Sequence, residues 1–240
     1  DMIGRDIGEV LGVANTGVLV SDNPAQLGYN SDVIVDFTKP DATMKHLDVA
    51  VATKTAMVIG TTGLSDAQET KIAQAAKSIP IIYCANTSIG ITILQQLVRQ
   101  VAAQLSDDWD IEIIETHHNK KIDAPSGTAL ALGRAAAEGR QVNLDETRDS
   151  GRDGVTGARK TGDIGFAVMR GGDVAGEHSV IFFGQDERIE LSHRANSRII
   201  FARGVLRAAR FIASQDASEA SSDPSGDPFG RLYSMEDVLG

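Results

Sequence analysis

The chain has very little cysteine and no long apolar run, and each shortage excludes a class of protein. Its 240 residues contain one cysteine, Cys84, which excludes a framework of intrachain disulfides and favours a reducing compartment. No apolar run approaches the ~20 residues needed to span a bilayer, and no signal-peptide pattern opens the chain. These absences predict a cytoplasmic globular protein that does not bind a membrane.

Positive charge is also scarce, since 33 Asp and Glu outnumber 23 Lys and Arg and give a formal net charge of -10. Such a chain is not expected to bind nucleic acid. The deficit is uneven: residues 214–240 hold six acidic residues against one basic, whereas residues 151–210 hold ten basic against seven acidic. A small anionic ligand fits the basic middle of the chain, although a solvated charged surface explains the same counts.

Short apolar runs alternate with helical patterns in the first half of the chain. The runs 33–37, 56–60 and 79–84 are predicted strands, and residues 41–54, 66–77 and 89–105 are predicted helices. Strands this apolar are typical of a parallel sheet that helices cover on both faces, so we expect a Rossmann-like α/β domain. Ser65 followed three residues later by Gln68 predicts a capping box at the second helix.

Small or hydroxylated residues follow each predicted strand. They form the segments Phe37-Thr38-Lys39-Pro40, Gly60-Thr61-Thr62-Gly63 and Ala85-Asn86-Thr87-Ser88. Ligands of parallel sheets bind beyond the carboxyl ends of the strands, so three such segments at one edge favour a dinucleotide or a phosphate. Each segment alone is equally a good turn or helix cap.

One expected motif is missing from the first half. A dinucleotide-binding domain normally opens with a strand, a Gly-rich turn and a helix, and no GxGxxG pattern precedes residue 33. Residues 1–21 have the composition of a loop instead. We therefore expect that the amino-terminal strand and helix of this domain are missing from the sequence.

The second half of the chain predicts a different domain. It combines a strand at 110–115, an Ala-rich helix at 126–139 and strands at 164–170, 178–183 and 188–193, with turns at 171–173 and 184–186 between them. This order is typical of an α+β domain with a mixed or antiparallel sheet. A helix at 201–213, a Ser/Asp-rich loop at 214–228 and a helical turn at 232–239 are expected to follow. We predict that residues 1–88 and 199–240 form the first domain and residues 89–198 the second.

Proton-carrying and cationic side chains are concentrated in the segment that follows the strand at 110–115. His117 and His118 are expected to point to opposite faces, and Lys121 lies four residues beyond His117. Ser126, Gly127 and Thr128 open the Ala-rich helix, whose amino end offers free N–H groups to an anion. The segment therefore predicts a site that binds a carboxylate and transfers a proton.

Simpler interpretations of this segment have to be considered beside that prediction. A metal site lacks support, because the chain has no Cys cluster and no HExxH spacing. A serine hydrolase is disfavoured, because Ser126 is not in a GxSxG elbow. For Lys120 we accept a solvated loop, and a helix cap at Ser126 is compatible with ligand binding.

The stretch ETHHNKKIDAPSGTA at 115–129 closely resembles the signature of bacterial dihydrodipicolinate reductases. Further blocks follow in the family's order, namely VDFTKP, VIGTTG, ANTS, GFA, GEH and SR. The resemblance covers nearly the whole chain. It implies a nucleotide-binding domain, a substrate domain that builds a homotetramer, and reduction of 4-hydroxy-tetrahydrodipicolinate to tetrahydrodipicolinate by NADH or NADPH in lysine and diaminopimelate biosynthesis.

The resemblance also implies roles for individual residues. His117 and Lys121 match the catalytic pair, with Lys121 as proton donor. Substrate binding falls to His118, Ser126, Gly127 and Thr128. Cofactor binding falls to Phe37, Lys39, Gly60, Thr61, Thr62, Cys84, Ala85, Asn86, Thr87 and Arg198. The residue that selects NADH or NADPH belongs to the missing segment.

Two alternative functions are kept. One is a catalytically silent ligand-sensing or assembly protein on the same scaffold, which the missing Gly-rich turn motivates. The other is a different NAD(P)H-dependent reductase of a small dicarboxylate.

Overall fold

A computed structural model of the chain describes residues 2–215 and 232–240, and it divides into two compact units. The first unit combines Asp1–Cys84 with Ala208–Ser234, and the second combines Ala85–Arg207 with Met235–Gly240. The domain limits predicted at 88/89 and 198/199 stay a prediction. All but residues 214 and 215 of the predicted Ser/Asp-rich loop lie outside the described residues.

The first unit contains the predicted parallel sheet. Its strands, in spatial order, are β1 (Val33–Asp36), β2 (Ala56–Ile59), β3 (Ile81–Tyr83) and β9 (Leu232–Tyr233). Every neighbouring pair is parallel, and all four residues of β2 are buried, as a strand covered on both faces requires. The helices of this unit are α1 (Ile7–Val10), α2 (Pro24–Tyr29), α3 (Pro40–Thr53) and α4 (Asp66–Ala75). The capping box of Ser65 and Gln68 is present at the start of α4.

Two segments of the first unit differ from the prediction. Residues 1–21 include the short helix α1, because the Asp6 carboxylate accepts hydrogen bonds from the backbone N–H groups of Gly8, Thr16 and Gly17. The helical turn predicted at 232–239 is wrong at its start, where Leu232 and Tyr233 form β9. These two residues pair with the backbone of β3, which would otherwise be an open edge.

The second unit is built on a mixed five-stranded sheet. Its strands, in spatial order, are β5 (Arg148–Ser150), β6 (Ile164–Arg170), β4 (Asp110–His117), β7 (Glu177–Phe183) and β8 (Arg188–Arg194). The central strand β4 is parallel to β6 and antiparallel to β7. The helices are α5 (Ile89–Gln104), α6 (Gly127–Gly139) and α7 (Leu144–Thr147), and the boundary between the units falls within α8 (Ile199–Ala213).

The two Gly-rich turns of this sheet have different roles. Residues 184–186 close a hairpin between β7 and β8. Residues 171–173 do not, because β4 lies between β6 and β7. The loop that begins at Gly171 instead binds the end of β4: Gly171 N donates to His117 O, and His118 N donates to Val174 O. These two hydrogen bonds hold the backbone of His117 and His118 in place.

Burial alternates strictly along β4. Ile111, Ile113, Glu115 and His117 all lie on the buried side. The two isoleucines belong to a core shared with α5 and α6, which includes the fully buried Leu132 and Phe182. The same face therefore carries two polar groups, which need partners inside the unit. Within the described part of the chain, no helix is long and apolar enough to cross a membrane.

Candidate active site

Glu115 is the centre of the polar cluster at the end of β4. Its carboxylate accepts hydrogen bonds from His117 Nδ1 at 2.6 Å, from Arg170 at 2.7 and 2.8 Å, and from the backbone N–H of Ser126 at 2.9 Å. Burial raises the pKa of this carboxyl, but the bonds from Arg170, His117 and Ser126 outweigh burial and lower its pKa below the usual value. Glu115 is therefore a carboxylate at neutral pH.

This carboxylate fixes the ring of His117. Because Glu115 is ionised, the imidazole Nδ1 must be the donor, and Nε2 is left as the atom that can exchange a proton with a ligand. The ring also lies 5.1 Å from that of His178, edge to face. His117 has the arrangement that a proton-transfer residue requires, with one nitrogen anchored and the other available.

Ser126 joins the same cluster from the start of α6. It is the N-cap of that helix, and its Oγ accepts a hydrogen bond from Ala129 N at 3.1 Å. Next to it, Gly127 is exposed, and no atom lies within 4 Å of the place where a Cβ would stand. No side chain at position 127 therefore blocks the start of α6, and anion binding by its first N–H groups stays a prediction.

His178 was not assigned a role from the sequence, although it is the most deeply embedded histidine of the cluster. It faces Glu115 in the register of β4 and β7, it is 4% exposed, and its Nε2 lies 3.0 Å from Ser126 Oγ. Burial, helped by the nearby His117, lowers the pKa of His178 to about 4. The imidazole is therefore neutral at neutral pH.

Lys121 is ordered by a neighbouring carboxylate. Its ammonium donates to both oxygens of Asp123 at 2.8 Å and is paired with that residue rather than with His117. The hydrogen bond from Lys121 is the main cause that lowers the pKa of Asp123. The catalytic roles of His117 and of Lys121 as proton donor stay predictions.

The remaining substrate-site predictions fall in the same unit. His118 turns away from the buried face, as predicted, and its Nε2 lies 3.0 Å from Arg198 Nη2. Thr128 Oγ1 accepts a hydrogen bond from Asn86 Nδ2 at 2.9 Å. Arg198 and Asn86 were predicted as cofactor contacts; these two bonds join them to predicted substrate residues instead, and their cofactor roles stay predictions.

The carboxyl edge of the first sheet has an exposed backbone after β2. Thr61 is 3% exposed, and its hydroxyl is used within the protein, by Asp36 and by the hydroxyl of Thr43. Beyond it, Thr62 is exposed, and Gly63 has a φ of +78° with open space where a side chain would begin. A ligand can therefore approach the backbone after β2, whereas the Thr61 side chain is not free to bind it.

The side chains of the other predicted cofactor residues differ in exposure and in partners. The ring of Phe37 is 52% exposed and lies over Gly60, where a Cβ would stand 2.2 Å from it. Burial raises the pKa of the Cys84 thiol to about 12, so this side chain is a neutral thiol. The hydroxyl of Thr87 donates to Phe201 O at 2.9 Å. Lys39 and Ala85 are exposed.

The structure adds three residues that sequence reasoning missed: Glu115, Arg170 and His178. Glu115 had a usable signal, because alternation along β4 places it on the same face as His117. Arg170 and His178 had none, because their positions depend on the pairing of β6 and β7 with β4. Within the described residues, no group of three or more His, Cys, Asp or Glu side chains could hold a metal ion.

Comparison with known proteins gives consistent matches along the whole chain. Residues 1–87 match the family model for the dihydrodipicolinate reductase N-terminus, and residues 90–239 match the model for its C-terminus. The chain is 52% identical over 240 residues to the 4-hydroxy-tetrahydrodipicolinate reductase of Roseobacter denitrificans and 47% identical to that of Ruegeria sp.. Each alignment covers 100% of this chain and 84% of the relative.

Solved structures are also similar to this chain. The dipicolinate-bound dihydrodipicolinate reductase from Paenisporosarcina sp. TG-14 superposes with a TM-score of 0.70 at 26% identity, over 98% of this chain and 86% of that one. An amine dehydrogenase from Mycobacterium smegmatis reaches a TM-score of 0.57 at 12% identity, over 89% of this chain and 82% of that one, and is similar in fold alone.

Proposed function

Because this chain belongs to the dihydrodipicolinate reductase family, we propose that it reduces 4-hydroxy-tetrahydrodipicolinate to tetrahydrodipicolinate in lysine and diaminopimelate biosynthesis. The reductant is NADH or NADPH, which supplies the hydride when it is bound. One observation carries the chemistry. The buried carboxylate of Glu115 touches both His117 Nδ1 and Ser126 N, and so fixes a proton-carrying imidazole beside the open start of α6.

Substrate binding is the first task of these residues. A dicarboxylate needs several donors, and the N–H groups at Gly127 and Thr128 provide them where the helix dipole also favours negative charge. His118 completes this set, since its Nε2 accepts from Arg198 and its Nδ1 is then left to donate. The positive charges of Lys121 and Arg198 favour a dianion over a neutral analogue.

Proton delivery is the second task. The 4-hydroxyl leaves as water and gives a conjugated imine. Hydride addition to that imine builds negative charge on the substrate, and an ammonium at Lys121 can neutralise it by donating a proton. Asp123 holds that ammonium until substrate arrives. His117 Nε2 is the second group that can carry the proton, and Glu115 stabilises the imidazolium that would form.

Cofactor binding falls to the carboxyl edge of the first sheet. The open backbone at Thr62 and Gly63, which continues from Gly60 and Thr61, supports this proposal, since the turn there leaves room for a phosphate or a nicotinamide amide. Steady-state assays with NADH and with NADPH determine which cofactor the enzyme prefers.

We also propose that the enzyme is a cytoplasmic homotetramer. The supporting observation is that two large apolar side chains on the outer face of the sheet of the second unit are exposed, Met169 by 54% and Phe183 by 36%. Light scattering on the purified protein tests this assembly, and a monomer at micromolar concentration would exclude it.

The test of the reaction follows the loss of reduced nicotinamide with full-length protein and this substrate. Lys121→Ala should lower kcat by about 100-fold or more, because a general acid contributes roughly 10²–10⁴ to the rate, while the Kd of the cofactor changes little. The matched control is Lys120→Ala, which removes a neighbouring exposed ammonium and should leave kcat unchanged. Equal losses in the two variants would contradict the role of Lys121. No turnover by the wild type would contradict the proposed function.

A further inference from the structure

His178 has a neutral, buried imidazole to which the proposed reaction assigns no role. Its Nε2 lies 3.0 Å from Ser126 Oγ, and its Nδ1 is buried without a hydrogen-bond partner among the described residues. A histidine with these surroundings has two possible tautomers, and they give the serine hydroxyl opposite roles.

Hydrogen-bond accounting distinguishes the two tautomers. If Nδ1 carried the proton, a buried N–H donor would be left without an acceptor, which is rare in folded proteins. If Nε2 carries the proton, only a lone pair of Nδ1 is left unused, and the imidazole donates to Ser126 Oγ. The second arrangement is the less costly one.

The consequence concerns the hydroxyl proton of Ser126. A hydroxyl oxygen accepts two hydrogen bonds and donates one. Ser126 Oγ accepts from Ala129 N at 3.1 Å and, in this tautomer, from His178 Nε2. Both acceptor positions are then filled, and the remaining proton points in the third direction, away from both donors.

We propose that His178 is a positioning residue for substrate binding, which donates to Ser126 Oγ so that the serine hydroxyl proton is presented to a substrate carboxylate at the start of α6. This inference rests on the proposed function. It makes Ser126 a directed donor rather than only a helix cap. Two buried strand residues cooperate in this, since Glu115 holds the Ser126 backbone N–H and His178 holds its side chain.

The tautomer can be measured directly on the wild-type protein. The chain has five histidines, so ¹⁵N-labelled histidine gives a spectrum simple enough to assign by single substitutions. The expected result for His178 is a protonated Nε2 and an unprotonated Nδ1 at neutral pH. A protonated Nδ1 with a bare Nε2, or an imidazolium, overturns the proposal. This experiment does not depend on turnover, so its outcome is independent of the proposed function.

Kinetics test whether the hydroxyl direction matters to substrate. His178→Leu should raise the substrate KM about tenfold, the loss of one hydrogen bond to a charged group, with a smaller change in kcat. His178→Gln places an amide N–H near the position of Nε2 and should restore most of the loss. His193→Leu is the matched control, because His193 is the register partner of His178 on β8 and its Nδ1 is also buried and unpartnered among the described residues. It should leave KM unchanged.

A double-mutant cycle separates positioning from general packing. If His178 acts through Ser126, adding His178→Leu to Ser126→Ala should raise KM no further than Ser126→Ala alone. Calorimetric titration with dipicolinate repeats the comparison without catalysis. Additive effects, or equal KM increases for His178→Leu and His193→Leu, would refute the proposal while leaving the reductase assignment intact.

Discussion

Replacing Glu115 with glutamine tests the centre of the cluster, because the two side chains have the same shape and differ in charge and donors. The carboxylate uses both oxygens: one accepts from Ser126 N and Arg170 Nη2, the other from His117 Nδ1 and Arg170 Nη1. A glutamine amide has one carbonyl oxygen and one NH2 group. In either orientation the NH2 group faces two donors, so two of the four hydrogen bonds are lost.

The size of the loss follows from this geometry. Hydrogen bonds to a charged group contribute about 1.5–3 kcal/mol each, so two of them give a loss of about 3–6 kcal/mol. Since the Arg170 side chain is 20% exposed and can turn towards water, we expect the lower end, about 3 kcal/mol. In a chain of this size, that corresponds to a fall in Tm of about 6–12 °C. Turnover should fall about 100-fold, because in either orientation the neutral amide no longer stabilises a positive charge on the His117 ring.

Glu112→Gln provides the control. Glu112 lies on the same strand and faces the other side, and one of its oxygens, Oε1, accepts from both Arg152 and Arg159. A glutamine carbonyl can keep both bonds, so the free energy of unfolding should fall by no more than about 1 kcal/mol and kcat should be unchanged. Urea unfolding and steady-state kinetics measure both variants. If Glu115→Gln matched Glu112→Gln in stability and in kcat, the assignment of Glu115 as the anchor would be wrong.

Two further predictions concern groups with displaced pKa values. His178 has a pKa of about 4 in the folded protein against 6.5 for a free histidine, so the unfolded chain binds more protons between these values and stability falls as pH is lowered from 6.5 towards 4. The loss should reach up to about 3 kcal/mol in urea unfolding, and a parallel pH curve for His178→Gln would contradict it. Cys84 has a pKa of about 12 in the folded protein, whereas an unperturbed thiol has a pKa of 9.0. Because the thiolate is the reactive form, Cys84 should react with iodoacetamide at pH 8 roughly 1,000-fold more slowly in the folded protein than in the urea-unfolded protein. Equal rates would show that the thiol is not buried.

The fold was predictable where the signals were local. Strands such as β2 have only apolar residues, and the capping box at Ser65 marks a helix start within four residues. The two-residue strand β9 was missed because it is too short to have a period. The place of β4 between β6 and β7 was missed because a Gly-rich turn has the same composition whether it closes a hairpin or crosses a neighbouring strand.

In the candidate site, too, residues close together in sequence could be predicted, whereas residues brought together by strand pairing could not. His117, Lys121 and the Ser126–Thr128 helix start could be proposed from the sequence because they lie within twelve residues of one another. Arg170 and His178 come from strands that follow β4 by dozens of residues, so only the sheet register brings them to Glu115. A buried carboxylate two residues before a histidine is a signal that sequence analysis can use, but its partners depend on long-range pairing.

The central position of β4 has a consequence for synthesis of the chain. Ile111 pairs with Ile164 on one side and with Phe182 on the other, and both partners are made long after it. Until then, β4 has two unpaired backbone edges and a row of apolar side chains, which is a template for pairing with other chains. Folding of this unit must wait for contacts distant in sequence, which are the slow ones to form. Fragments that end before residue 183 should therefore aggregate, and chaperone demand during expression should be greatest for nascent chains in which β4 has emerged without β7.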